Sequence, residues 1–141
     1  MKHLYIVLIM AFTFTSQAQT ITGQWETFDD KTKEKKAVIE IYEDNNLYFA
    51  KIVKSYTSKE GAVCDNCTGE QKGQPIAGLV IIKNLKEDKE EEEFNDGTIM
   101  DPENGKVYKC YIESVTDNKL KVRGYLGVSL FGRTQYWTRK Q

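Results

Sequence analysis

The sequence predicts a small all-β protein, built as an up-and-down antiparallel barrel or sandwich of about eight strands. From residue 22 onward, apolar and polar residues alternate with a period near two, and turn-forming residues interrupt the alternation at short intervals. The chain has 141 residues, about the size of one domain, and 40% of them are hydrophobic. That fraction is sufficient for one packed core.

The start of the chain has the pattern of a secretory signal peptide. A positively charged start precedes an apolar run from Leu4 to Phe14, and Ser16 and Ala18 supply small residues where a signal peptidase reads the chain. The run is about half of the ~20 residues that cross a bilayer, which favours a cleaved leader over a membrane anchor. We expect a signal peptide over 1–18, a single barrel domain over 19–141, no transmembrane segment after cleavage, and a periplasmic or extracellular location.

Charge and histidine content exclude several functional classes. The 20 basic and 21 acidic residues nearly cancel, so the chain lacks the basic field that attracts nucleic acid. The single histidine, His3, would leave with the signal peptide. Without imidazole, a mature chain cannot form a Ser–His–Asp triad, a Cys–His pair or a histidine-based metal site. We therefore expect no nucleic-acid partner, no cofactor, no metal, and a binding or interaction protein rather than an enzyme.

Five strands are predicted in the first part of the mature chain. Alternation opens the first strand, and in the second it places Ala37, Ile39 and Ile41 on one face. The Asp-Asn-Asn turn at 44–46 leads into a long third strand, and a short apolar run and a final alternating segment follow the long loop described below. The predicted strands are Thr22–Phe28, Lys36–Glu43, Leu47–Tyr56, Ile76–Leu85 and Glu92–Met100.

Three more strands follow a strong turn signal at Asp101–Gly105. Proline there presets one φ angle, and the Asn-Gly pair tolerates positive φ, as hairpin turns require. In the next strand Tyr108, Cys110 and Ile112 share a face, and a Thr-Asp-Asn turn at 116–118 ends it. The predicted strands are Lys106–Val115, Lys119–Leu126 and Arg133–Lys140.

Two segments interrupt the alternation. Thr57–Pro75 shows no periodicity and contains several glycines, which predicts a long loop across one end of the fold. Every residue of Lys86–Glu93 is charged. We interpret that run as a solvated connection that keeps neighbouring strands from pairing with other chains, in preference to a docking site.

The C-x-x-C pair formed by Cys64 and Cys67 allows three interpretations. A thioredoxin-like redox centre needs a helix after the first cysteine, and the glycines and proline that follow disfavour one. A metal site would need Cys110 and a carboxylate as further ligands. A structural disulfide suits an oxidising compartment and is the interpretation we favour, with Cys110 as a buried free thiol.

The first and last predicted strands resemble those of lipocalin-type barrels, which belong to the calycins. Gly23-Gln24-Trp25 opens the first strand, and Arg133 and Arg139 lie on the last. In lipocalin-type barrels, a tryptophan of a G-x-W motif packs at the closed end beneath an arginine of the final strand. The resemblance implies that Trp25 and Arg133, together with Trp137, close the barrel through a cation–π contact.

A closer resemblance, to the exported bacterial family labelled domain of unknown function 2147, covers nearly all of the mature chain. Its most specific motif is the ending Leu130–Arg139. The family has no established activity, so the resemblance implies an exported lipocalin-like barrel and supplies no catalytic residues. Further matching segments are Thr22–Trp25, Asp29–Asp30, Val38–Tyr42, Lys51–Val53, Cys64–Gly69, Pro75–Gly78, Gly97–Pro102, Gly105–Tyr108 and Lys121–Tyr125.

Barrel shape suggests ligand binding as the leading hypothesis. A small apolar or amphipathic molecule, or a peptide, would enter the open end under the Thr57–Pro75 loop, with Tyr108, Arg123 and Tyr125 near it. One alternative is an envelope protein that docks other proteins and has a filled barrel. Another is a thiol–disulfide redox protein that uses Cys64 and Cys67.

Overall fold

Eight antiparallel strands pair in chain order, and the last pairs with the first to close one barrel. This computed structural model describes residues 20–128 and 130–141, so the predicted signal peptide at 1–18 lies outside the described residues. The predicted all-β, up-and-down barrel is confirmed. The strands are β1 (Gly23–Phe28), β2 (Lys35–Asp44), β3 (Leu47–Ser55), β4 (Val80–Asp88), β5 (Glu93–Met100), β6 (Val107–Thr116), β7 (Lys119–Tyr125) and β8 (Gly132–Arg139).

Alternation along the strands places one apolar set inside the barrel. Ala37, Ile39 and Ile41 of β2 are all buried, as are Cys110 and Ile112 of β6. Between them Glu40 and Tyr111 are partly exposed, as the period of two requires, whereas Val38 is buried where the β2–β3 register shifts. Seven of the eight strands begin and end within one residue of the predicted positions. Within 20–128 and 130–141 the only helix is a 3₁₀ turn, Gly69–Gln71, and no helix is long and apolar enough to cross a membrane.

The fourth strand is the exception, and here the prediction of Ile76–Leu85 was wrong. β4 starts at Val80 and extends into the charged run, where Glu87 pairs with Phe94 of β5. Main-chain hydrogen bonds form regardless of side-chain charge, and the side chains at this end are largely exposed, so charged residues are accepted in these strands. Lys86–Glu93 is thus the end of a β4–β5 hairpin, whose turn is fixed by two backbone N–H groups that donate to the Asp88 carboxylate.

The barrel is closed at its seam by Arg139. The main chains of β1 and β8 pair at Trp25–Arg139 and Glu26–Thr138 only, within the described residues, whereas β7 and β8 pair along their whole length. The Arg139 guanidinium lies 4.2 Å from the centre of the Trp25 ring. It donates hydrogen bonds to three carbonyl oxygens, those of Asp117 (2.9 Å), Thr22 (3.1 Å) and Thr20 (3.3 Å). One side chain therefore joins the N-terminal segment, the last strand and the β6–β7 turn.

Trp25 lies at the centre of this closed end. The side chain is fully buried, and its indole N–H donates to the Ile21 carbonyl at 2.8 Å. The fixed partner matters because a buried indole N–H without an acceptor is destabilising. The predicted structural position of Trp25, beneath an arginine of the final strand, is what the structure shows.

The predicted closure residue Arg133 does not take part. It lies at the other end of β8, six residues and about 20 Å of extended chain from Arg139. There its guanidinium pairs with Asp30 at 3.1 Å, on the surface. Trp137 is buried as predicted but lies inside the barrel, paired in register with Leu120 rather than placed over Trp25. Both arginines fit the sequence pattern equally well, and only the pairing register distinguishes them.

The Arg139→Ala variant should lower the free energy of unfolding by about 3 kcal/mol, because charge-assisted hydrogen bonds and a cation–π contact are lost together. Arg133→Ala is the matched control and should cost less than about 1 kcal/mol, as for an exposed ion pair. Urea unfolding followed by tryptophan fluorescence measures both. Equal losses in the two variants would contradict the assignment of closure to Arg139.

Candidate ligand-binding site

A cavity of about 490 Å³ occupies the barrel at the end opposite Arg139. The β1–β2, β3–β4, β5–β6 and β7–β8 connections all lie at this end, since the strands alternate in direction. We refer to it as the open end. The volume falls within the roughly 300–1,000 Å³ of small-molecule sites. The barrel therefore has a cavity at its open end, while buried side chains around Trp25 fill the closed end.

The cavity walls are mainly apolar. They are formed by inward-facing residues of several strands, which the alternation directs to the interior. Trp137 is buried and contributes its ring to the wall, while its indole N–H donates to Gln135 Oε1 at 3.3 Å. The principal apolar wall residues are Ile39, Ile52, Ile81, Ile99, Val122 and Trp137.

Two ion pairs contribute to the polar rim of the cavity. Lys36 Nζ lies 2.9 Å from Glu103, and Arg133 Nε lies 3.1 Å from Asp30. Gln135 also reaches Asp30, with its amide nitrogen 3.4 Å from the carboxylate. The two contacts of Asp30 cross the part of the seam where β1 and β8 are no longer paired, and the Lys36–Glu103 pair joins β2 to the β5–β6 turn. The site thus combines an apolar interior with charged groups of both signs at the entrance.

The long loop between β3 and β4 covers part of the entrance, as predicted for Thr57–Pro75. Residues 62, 63, 65 and 66 of the loop line the cavity. A disulfide joins Cys64 to Cys67, which confirms the favoured interpretation of the C-x-x-C pair. Cys64 is further fixed by backbone hydrogen bonds from its N–H to Gln74 (2.8 Å) and from the Gly73 N–H to its carbonyl (2.9 Å).

The disulfide-bonded segment is attached to the β5–β6 turn. The Asn66 side-chain amide donates to the Glu103 carbonyl at 2.7 Å, and the Cys67 sulfur lies 3.8 Å from the Met100 sulfur. Gly105 has a φ of +72°, and a Cβ there would collide with the Asn66 carbonyl. Gly105 is therefore required for two reasons, its backbone conformation and the close approach of the loop.

The three cysteines differ sharply in their chemical state. Cys64 and Cys67 are oxidised and almost fully buried, at 1% and 4% exposure, which leaves little sulfur surface for an attacking thiolate. Cys110 is a buried free thiol, and burial raises its pKa to about 12. Among residues 20–128 and 130–141, no three His, Cys, Asp or Glu side chains are grouped so that they could hold a metal ion.

The three predicted ligand contacts divide between the two faces of the barrel. Tyr108 lines the cavity. Val122 and Gly124 of β7 face the cavity. Because side chains alternate along a strand, Arg123 and Tyr125 face outward. On the outer face Arg123 donates to the Thr134 hydroxyl at 2.8 Å, and Tyr125 lies 6.2 Å from the Tyr111 ring.

No residue of β8 was assigned to the cavity from the sequence. Arg133 and Gln135 line the cavity together with Trp137, which is the next inward position of β8. The spacing of two residues along a predicted strand places all three on one face. That signal was present in the sequence, but Arg133 was assigned to barrel closure instead.

Comparison with known proteins identifies the family. The model of a family described as "Uncharacterized protein conserved in bacteria (DUF2147)" matches residues 23–139. The chain belongs to this family. The match includes all eight strands and therefore the whole cavity, and it confirms the predicted resemblance. No curated protein matches the chain.

A solved structure shows the same fold. Protein HP1028 from the human pathogen Helicobacter pylori, described as belonging to the lipocalin family, superposes with a TM-score of 0.76. The two sequences are 14% identical, and the match covers 88% of this DUF2147 chain and 85% of the other. At that identity the likeness establishes a lipocalin-like barrel and nothing more about function.

The burial of Cys110 predicts a pH-dependent stability. Its folded pKa of about 12 exceeds the ordinary value of 9.0, so the fold favours the protonated thiol. The contribution is fully present below pH 9 and is lost as the pH rises toward 12, with a slope of at most about 1.4 kcal/mol per pH unit.

Denaturant unfolding of the wild type and of Cys110→Ala measures this effect. The difference between their free energies of unfolding should be constant up to about pH 9 and should shrink above it. The native thiol should also resist a thiol reagent at pH 8 and react once the chain is unfolded. Rapid modification of the native protein would show that Cys110 is accessible.

Proposed function

We propose that this DUF2147 protein is an exported binding protein that holds one small apolar or amphipathic molecule in its barrel. The observation that carries the proposal is the cavity of about 490 Å³ with apolar walls and a charged rim. A ligand that buries about 250 Å² of apolar surface gains about 6 kcal/mol before the costs of association. That gain corresponds to a dissociation constant of about 40 μM before the costs of association, so we expect weaker binding than about 40 μM for a ligand of this size.

The cavity residues have distinct roles in this proposal. Trp137 and the isoleucines contact the apolar body of the ligand, and Tyr108 offers a hydroxyl beside them. Arg133 and Lys36 lie where a polar or anionic end of the ligand would emerge, and each already has a carboxylate partner within 3.1 Å. An anionic head group of the ligand would have to replace those carboxylates as the partner of Arg133 or Lys36. The rim therefore adds selectivity more than affinity.

Export is part of the proposal. It is supported by the leader pattern at 1–18 and by the Cys64–Cys67 disulfide, since disulfides persist mainly in oxidising compartments. The cavity gives less support to the alternative of a docking module with a filled interior. Burial of both disulfide sulfurs, and the lack of a long helix after Cys64 in the described chain, likewise give little support to the redox alternative.

Titration with an amphipathic fluorescent probe, anilinonaphthalene sulfonate, tests the proposal. The wild type should bind it saturably, with one molecule per chain. Ile99→Trp adds bulk inside the cavity and should weaken binding at least about tenfold, because the probe and the indole compete for one space.

The matched control is Thr98→Trp, one position along the same strand. Thr98 pairs with Lys109 on the outer face, whereas Ile99 pairs with the cavity residue Tyr108. The control should therefore bind the probe like the wild type. Non-saturable binding, or an equal effect of both substitutions, would contradict a site inside the barrel.

A further inference from the structure

The turn between β7 and β8 carries the four most exposed large apolar side chains in the described chain. Leu130 is 84% exposed and Phe131 72%, followed by Leu126 and Val128 at 58% and 57%. We call these four residues the apolar tip. Isolated exposed apolar residues are common, but four together in one turn form a patch that needs an explanation.

The apolar tip stands at the entrance of the cavity. Leu126 and Phe131 also line the cavity, whereas Val128 and Leu130 do not. Backbone hydrogen bonds from Leu126 N to Phe131 O and from Phe131 N to Val128 O, both 3.1 Å, hold the turn. An apolar surface thus runs from the tip into the barrel.

Exposed cations flank the apolar tip. Arg133 follows it on β8, and the β1–β2 turn beside Arg133 carries Lys31 and Lys33. On the other side, Lys109 pairs in register with Tyr125 at the end of β7. All four side chains are exposed. The β1–β2 turn also carries Asp29, Asp30 and Glu34, of which Asp30 pairs with Arg133, so the four cations exceed the neighbouring carboxylates by one.

The opposite end of the barrel carries a net negative charge. The β4–β5 hairpin ends in the run Lys86–Glu93, which has six carboxylates and two lysines. The β2–β3 turn beside it adds Glu43 and Asp44. At the open end, lysines and Arg133 balance the carboxylates of the connecting loops. An anionic surface would therefore repel the closed end more strongly than the open end, which orients the open end toward that surface.

We propose that the apolar tip inserts into the surface of an anionic lipid bilayer, with the open end of the barrel facing the lipid. A protein partner would cover about 800 Å² with some 20–30 residues, which requires a broad face rather than a single turn. Shallow insertion needs only a few apolar side chains and nearby cations, which is what the tip and its flanks supply. The docking does not require a ligand in the cavity.

Sedimentation with lipid vesicles tests the docking. The mature chain, purified without reductant, should bind vesicles of phosphatidylglycerol and phosphatidylcholine and should bind phosphatidylcholine vesicles more weakly. Salt should weaken binding, because it screens the lysines and Arg133. Leu130→Ser should reduce the apparent partition coefficient about tenfold, and Val128→Ser with Leu130→Ser should reduce it further.

The matched control is Val115→Ser, an exposed apolar residue near the β6–β7 turn of the closed end, which should bind vesicles like the wild type. The double variant should still bind the fluorescent probe, because neither residue lines the cavity; a failure of ligand binding is thus distinguishable from a failure of docking. Absence of wild-type binding to anionic vesicles, or unchanged binding of Leu130→Ser, would overturn the proposal. So would concentration-dependent dimers that Leu130→Ser abolishes, which would assign the tip to a second copy of the chain.

Discussion

The contact between Arg139 and Trp25 is the constraint on which the rest of this barrel depends. Strand pairing alone holds most of the sheet, but at the seam β1 and β8 share a short paired segment. Arg139 compensates for this by binding three carbonyls, two in the N-terminal segment and one in the β6–β7 turn, while covering the Trp25 ring. At the closed end, main-chain pairing and Arg139 hold β1 and β8 together. At the open end, side-chain contacts join the two strands in the described residues.

That asymmetry accounts for the position of the cavity. Past Glu26 the chain of β1 departs from β8 in the described structure, and β1 has an irregular register with β2 at Thr27 and Phe28. Asp30, Arg133 and Gln135 then span the gap through side chains. Exposed ion pairs of this kind contribute little to stability. They can therefore exchange partners without endangering the fold, which suits the entrance of a binding site.

The strands could be predicted from the sequence because the patterns that indicate them are local. Alternation and turn residues such as the Asn-Gly pair at 104–105 act over a few positions, and they located seven strands closely. β4 was misplaced because its apolar run starts within the loop, at Ile76, while its paired part continues through charged residues. Side-chain polarity indicates which face is buried and does not report where main-chain pairing stops.

The site was less predictable because it depends on register between distant strands. Arg133 and Arg139 are equivalent as sequence signals, and the choice between closure and cavity is made by which of them pairs with Trp25. The volume of the cavity is the space that the eight strands enclose minus the volume of the inward-facing side chains. A small change in the shear of the barrel or in the tilt of its strands alters the cavity volume, and no local sequence pattern encodes either quantity.

Native mass spectrometry of the protein purified from the cells that produce it tests the central claim, that the barrel holds a ligand. The account predicts an added mass on the folded chain that disappears on denaturation, with the polypeptide itself lighter by the two hydrogens of one disulfide. A bare polypeptide mass, both as purified and after incubation with a lipid extract of those cells, would contradict it.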